Sequence, residues 1–339
     1  MNLEELKHTA TVLMAGERGL IAMDESLPTC NKRFEKVGIP QTEEYRRLYR
    51  QLIVTTPGLG EYISGAILFD ETIYQSTDDK VLFVDVLKHQ NIIPGIKVDE
   101  GTIDMPGSPE EKITNGLDGL DLRLNNYYGL GARFAKWRAV ITIGKGLPTP
   151  ANIKANAESL AKYARLCQDD DIVPIVEPEV LMDGDHTIER CYEVTQQAIK
   201  ELFEQLNAHD VYLPGLILKP NMVIAGKDCT IQNSTDEVAA ATVNCLLSVV
   251  PKEVAGVAFL SGGQSPQEAT AHLQAMHAKF ESKLPWPLTF SFSRALQQPT
   301  LELWKGKEEN VKAAQDMLYF RASMDSAARA GQYSVDLDQ

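Results

Sequence analysis

The chain has 339 residues, 44% of them apolar and 24% charged, which is ordinary globular usage and excludes disordered and fibrous classes. Against 33 Lys+Arg stand 47 Asp+Glu, a net charge of −14 without any Lys/Arg block, so neither nucleic acid nor an anionic membrane is an expected partner. The five cysteines form no CxxC pair, the acidic start MNLEELKHTA lacks a leader pattern, and no apolar run approaches ~18 residues, so a cytoplasmic protein with reduced thiols is expected.

Residues 1–18 read as a helix ahead of the first strand. Eight short apolar runs then follow as strands: GLIAMDE from Gly19, ISGAILF from Ile63, IIPGIKV from Ile92 and FAKWRAVITI from Phe134. The second half continues with VPIVEPEV from Val173, LPGLILKP from Leu213, AGVAFLSGG from Ala255 and PLTFSFSRA from Pro287. Their starts are 29 to 44 residues apart, room for a strand, a loop and a helix, and no Asn-Gly hairpin joins them. Segments such as 153–167, 187–207, 235–248 and 266–280 carry apolar residues at helical spacing. The expected fold is therefore α/β, a single (β/α)8 barrel of the TIM type over 1–332 with an extra N-terminal helix and a short C-terminal tail, 333–339.

In such a barrel the C-terminal strand ends face the active site. Those ends carry Asp24, Lys97, Lys136, Arg138, Glu177, Glu179, Lys219, Ser261 and Arg294. Side chains at i and i+2 share a strand face, so Lys136 with Arg138 and Glu177 with Glu179 project as pairs. Burying an isolated charge costs several kcal/mol, so these groups are paired or functional. Five cations and three carboxylates on one mouth invert the local sign of an acidic protein and point to a phosphorylated substrate.

Lys219, in LILKPNM, ends an apolar strand at a proline. Desolvation and a neighbouring cation both favour a neutral amine, Lys136 is a candidate neighbour, and a neutral amine is what a Schiff-base nucleophile requires. The bland alternative is a lysine snorkelling to the barrel rim or held in an ion pair with Glu179. Of Glu177 and Glu179, one can move protons near neutrality while the other orients Lys136, unless both only neutralise cations. Ser261-Gly262-Gly263 and Arg294 lie where barrels often hold phosphate, after the seventh and eighth strands, though a tight turn and a rim arginine would look the same. Lys32, Arg33 and Lys97 are placed near the opposite rim as a second phosphate cluster, or else Lys32 and Arg33 simply begin a surface helix. Asp183-Gly184-Asp185-His186 reads as a polar turn, and the histidines show no HxH or HExxH spacing, so no metal is expected.

Taken together, the motifs GLIAMDES…KRF, IIPGIKVDEG, GLDGLD with ARFAKWRAV, VPIVEPEVLMDGDH, LILKPNMV, FLSGGQS and TFSFSRALQ resemble class I, Schiff-base-forming fructose-1,6-bisphosphate aldolases. The resemblance spans nearly the whole chain and is strongest to the plastid and cyanobacterial branch. It implies Lys219 as the Schiff-base lysine, Glu177 as acid and base for the imine steps, Lys136 with Glu179 as electrostatic partners, and Asp24 acting on the carbon-4 hydroxyl. Ser261, Gly262, Ser293 and Arg294 would hold the carbon-1 phosphate; Ser26, Lys97, Arg138, Lys32 and Arg33 would line the path to the other. The family implies no cofactor or metal, a sugar bisphosphate and triose phosphates as ligands, and a homotetramer. The chain departs from it at Ser293, where Gly or Ala is usual, at Leu27-Pro28 and Asn31, and in lacking the terminal tyrosine of the animal branch. Rival classes are other Schiff-base barrel enzymes acting on one phosphate and a non-catalytic protein on the same fold.

Overall fold

Eight of the strands close into a parallel barrel, in a computed structural model that describes residues 1–338. Helix α1 (Leu3–Leu13) precedes β1 (Gly19–Met23); α2 (Leu27–Lys36) and α3 (Glu43–Val54) lead to β2 (Ile63–Leu68); α4 (Asp70–Ile73) and α5 (Phe83–His89) lead to β3 (Ile93–Lys97). A hairpin of β4 (Thr102–Met105) and β5 (Ser108–Thr114) follows, then α6 (Leu120–Leu130) and β6 (Phe134–Ile141). The remaining units are α7 (Pro150–Asp169), β7 (Val173–Val180), α8 (Ile188–Ala208), β8 (Ile217–Leu218), α9 (Thr235–Val249), β9 (Gly256–Phe259), α10 (Pro266–Phe280), β10 (Leu288–Phe292), α11 (Arg294–Trp304) and α12 (Val311–Arg329). The barrel order is β1-β10-β9-β8-β7-β6-β3-β2, so the first and last strands are neighbours.

Local chemistry explains the helix starts. Thr149 caps α7, with Pro150 in its first turn, and Ser234 and Ser265 form capping boxes with Glu237 and Glu268 ahead of α9 and α10. The strands are buried on both faces, as a covered parallel sheet requires. Outward-facing residues join the main core between barrel and helices, which contains Ile21, Trp137, Val176 and Val257. Inward-facing residues form a second core: Leu20, Ala22, Ile67, Phe134, Val173, Ile175, Ile217 and Ala258, sealed from below by Leu6, Ala10 and Leu13 of α1. Gly95 exists for that core, since a Cβ there would fall 2.3 Å from the Phe134 ring. Two residues further along the same inward rows, Ile175 gives way to Glu177, Phe134 to Lys136, Ile217 to Lys219 and Ala22 to Asp24. The plug is apolar at the bottom and ionised at the mouth.

Three features differ from the sequence expectation. The strand expected from Leu213 is only Ile217–Leu218, because Leu213–Gly215, with Pro214, takes a 3-10 turn and Pro220 has no N–H to extend the ladder. The hairpin β4–β5 was not foreseen; it turns at Gly107 (φ 82°) and is braced to β6 where Thr114 donates to the Arg138 carbonyl at 2.7 Å. The stretch read as a tail is docked: Tyr333 is buried, its hydroxyl donates to Asp338 at 2.9 Å, and Asp338 forms an ion pair with buried Arg321 of α12. Gln339, the last residue of that stretch, lies outside the described residues.

Candidate active site

The mouth is an open cavity of about 1420 Å³, and Asp24, Ser26, Lys32, Arg33, Lys97, Lys136, Arg138, Glu177, Glu179, Lys219, Ser261, Gly262, Ser293 and Arg294 all line it. Every site residue expected from the sequence is thus brought to one place. At its floor runs a chain of alternating charge. Asp24 Oδ2 lies 2.7 Å from Lys136 Nζ, which lies 3.1 Å from Glu177 Oε2; the other oxygen of Glu177 lies 3.1 Å from Lys219 Nζ. None of the four is more than 8% exposed. Lys136 and Lys219 therefore meet through one carboxylate, with Glu177 between them.

These pairings set the protonation states. Burial opposes ionisation of Asp24, but Lys136 and Lys219 outweigh it and hold the carboxyl near about 2. Glu177 is likewise buried and likewise drawn below the ordinary carboxylate range by Lys136 and Lys219. Burial favours the neutral amine of Lys136, yet Asp24 and Glu177 push its pKa up, so it stays an ammonium. In the resting site Glu177 is thus a carboxylate, which departs from the near-neutral titration expected of an acid–base group there.

Glu179 is not the partner of Lys136; it accepts from Nε of Arg138. The register explains why. Lys136 lies opposite Ile175 and Arg138 opposite Glu177, so each long cation reaches one inward layer up its neighbour, Lys136 to Glu177 and Arg138 to Glu179. Lys97 binds Asp99 Oδ1 at 2.7 Å, a partner missed in the sequence although it stands two residues on, on the same face. Glu25 was missed as well. It is buried, accepts from Arg33, from Arg50 Nη2 at 2.7 Å, from Gln297 Nε2 at 3.0 Å and from Ser293 Oγ at 2.9 Å, and its two arginines keep it near about 2 despite burial. Arg50 sits on α3 with no local sequence signal at all.

Barrel closure corrects the placing of Arg33. Because β1 pairs with β10, α2 stands beside the start of α11, and Arg33 lies near Ser293 and Arg294. Desolvation in the mouth, and then Arg33, pull the pKa of Arg294 down. Arg294 has no hydrogen-bond or ion-pair partner among the described residues, so two guanidiniums face the same space with one left uncompensated. The Ser261–Gly263 turn borders that space, with Gly262 and Gly263 at φ 43° and 82°. At Gly263 a Cβ would lie 2.5 Å from Met182 Sδ and 3.6 Å from Arg294 Nη2. A glycine turn, a free arginine and a second arginine beside it offer the donors and positive charge that an anion would need. Ser26 is turned to Thr29 at 3.0 Å, and Lys32 is exposed at the rim. Among the described residues no group of three or more His, Cys, Asp or Glu side chains is placed to hold a metal ion, and no helix is long and apolar enough to cross a membrane.

Comparison with known proteins identifies the family. The family model for fructose-bisphosphate aldolase class-I matches residues 5–339. A protein of Xanthomonas campestris pv. campestris described as a probable fructose-bisphosphate aldolase class 1 is 53% identical over 334 residues, 98% of this chain and 99% of the relative. Fructose-bisphosphate aldolase 1, chloroplastic, of Arabidopsis thaliana is 48% identical over 98% of this chain and 82% of its own length. Among solved structures, the aldolase of Plasmodium falciparum, crystallised with TRAP and a small-molecule inhibitor, superposes with a TM-score of 0.96 at 48% identity, covering 98% of this chain and 96% of that one. The chain belongs to the class I fructose-bisphosphate aldolase family, enzymes that make and break a carbon–carbon bond.

Proposed function

We propose that this enzyme cleaves fructose 1,6-bisphosphate reversibly through an imine on Lys219. The observation that carries this reading is a buried lysine whose amine contacts one carboxylate oxygen of Glu177 at 3.1 Å while the other oxygen is shared with Lys136. Glu177 takes a proton from the Lys219 ammonium, and the free amine attacks carbon 2 of the open-chain ketose, passing one of its own protons to the former carbonyl oxygen to give a carbinolamine hydroxyl. Glu177, now an acid, returns that proton to the departing hydroxyl, which leaves as water. Carbon 3–carbon 4 cleavage then sends its electron pair into the iminium, giving an enamine. The carbon-4 hydroxyl becomes strongly acidic as it turns into an aldehyde, so Asp24, although held near about 2, is base enough to accept that proton. Glyceraldehyde 3-phosphate departs; the enamine is protonated at carbon 3 and hydrolysed to dihydroxyacetone phosphate. Arg294, Arg33 and the Ser261–Gly263 turn suit one phosphate, and Lys97 and Arg138 face the other.

The chemistry runs on the chain's own groups. Steady-state cleavage should be unchanged by excess EDTA, and Lys219→Met should lose at least about 10⁴-fold in kcat, ~5.5 kcal/mol of barrier. Loss of activity in the chelator, or substantial turnover by the methionine variant, would contradict the reading.

A further inference from the structure

The Ser261–Gly263 turn is held from the protein side by a short polar relay. Gln264 bonds the Ser261 carbonyl twice, through its backbone N–H at 2.9 Å and its side-chain Nε2 at 3.0 Å. Its Oε1 lies 2.6 Å from Nδ1 of His272, on α10. Ser261, Gln264 and His272 are all buried. The roles are forced: the Ser261 carbonyl only accepts, so the amide nitrogen of Gln264 faces it, Oε1 faces the histidine, and Nδ1 must carry the hydrogen. Burial pushes His272 down to about 4, against the opposite pull of Glu268, so near neutrality the ring is uncharged with its proton at Nδ1.

Two successive glycines at positive φ would otherwise leave the turn free to wander, and ordering it on binding would cost affinity. The relay removes that freedom beforehand by tying the turn to the body of α10. We propose that Gln264 and His272 are positioning residues that pre-order the Ser261–Gly263 turn for the phosphate monoester of the substrate, acting through that turn without touching the substrate. The inference rests on the phosphate reading of the turn given above.

The test uses the full-length enzyme, steady-state cleavage of fructose 1,6-bisphosphate, and the dissociation constant for dihydroxyacetone phosphate. A group that holds phosphate equally in ground and transition states moves KM and not kcat. His272→Leu, which keeps bulk but lacks the donor, should raise KM and the dissociation constant about fivefold or more with kcat within about threefold. His272→Asn, whose amide N–H stands near the Nδ1 position, should restore both to within about twofold. Gln264→Met should reproduce His272→Leu, and the double variant should be no worse than either single one, because the two act as a unit. If His272→Leu does not fold, Gln264→Met carries the same comparison. Unchanged KM in the leucine and methionine variants, failure of the asparagine variant to restore binding, or additive losses would overturn the relay. Ser261→Ala separates the layers: if it leaves KM and the dissociation constant unchanged, the phosphate reading of the turn fails and the relay with it. If it weakens binding while His272→Leu does not, only the relay falls.

Discussion

Lys136 is the residue on which the floor of the mouth depends. It is the cation common to Asp24 and Glu177, and all three are buried. Lys136→Met keeps the length of the side chain and removes the charge, leaving two carboxylates with less compensation. Their pKa values should rise, Glu177 should be a weaker acid toward the departing hydroxyl, and kcat should fall about 10²–10³-fold. KM should stay within about threefold, since the proposed function assigns the phosphates to other groups. The same variant has a stability signature of definite sign. The carboxyl of Asp24 falls from 3.8 to about 2 on folding, so its contribution is complete above about pH 4 and is lost as pH falls toward 2. Without Lys136 that loss should begin at higher pH, and urea unfolding between about pH 6 and pH 3 would display it. Parental kcat, or an acid-stability profile that does not move, would remove Lys136 from the role described.

Among the elements, the C-terminal segment shows how a contact changes an expectation. From sequence alone, SVDLDQ after Tyr333 reads as a free end without a catalytic phenol. In the folded chain it brings Asp338 to Arg321 of α12, whose other guanidinium nitrogen donates to Thr270 of α10 at 3.0 Å. Thr270 in turn contacts Asp325, which burial pushes up to about 7. Deleting 334–339 should therefore change cleavage turnover less than about threefold yet lower stability, by roughly 3 kcal/mol where Arg321 is left without an anion. Asp325 can stand in only when ionised. The stability loss should thus be larger at about pH 5.5, with Asp325 protonated, than at about pH 8. Thermal unfolding of the truncated and full-length chains at both pH values is the measurement; equal losses at both would show that Asp325 does not compensate. Nothing in the six-residue sequence could reveal this, because it depends on which arginine of another helix lies within reach.

For the whole molecule, the barrel was legible because its signals are periodic and local: apolar runs at a regular step, capped helices between them, and ionised residues where the inward rows reach the mouth. The contributors Lys219, Lys136, Glu177 and Asp24 were legible for the same reason, each being an anomaly in an apolar row. Pairing was not. Sequence alone pairs Glu179 with Lys136 as readily as with Arg138, because the choice between them is made by strand register and side-chain reach. A linear reading sets Arg33 apart from Ser293 and Arg294 because it separates the first and last units, while closure makes β1 and β10 neighbours. Glu25, Gln264 and His272 carry no signal in the sequence because the contacts of each are to partners far off in sequence or around a turn. The hairpin β4–β5 was missed because its Pro106-Gly107 turn lies outside the repeating unit.

The proposed mechanism makes Lys219 the one residue to which substrate becomes bonded. Incubating the enzyme with dihydroxyacetone phosphate and sodium borohydride reduces an imine to a stable secondary amine, and peptide mass spectrometry then locates it. One adduct per chain on Lys219, absent when borohydride is omitted and suppressed by prior loading with inorganic phosphate, is the predicted result. No adduct, or an adduct carried by Lys136 or Lys97 instead, would contradict the account.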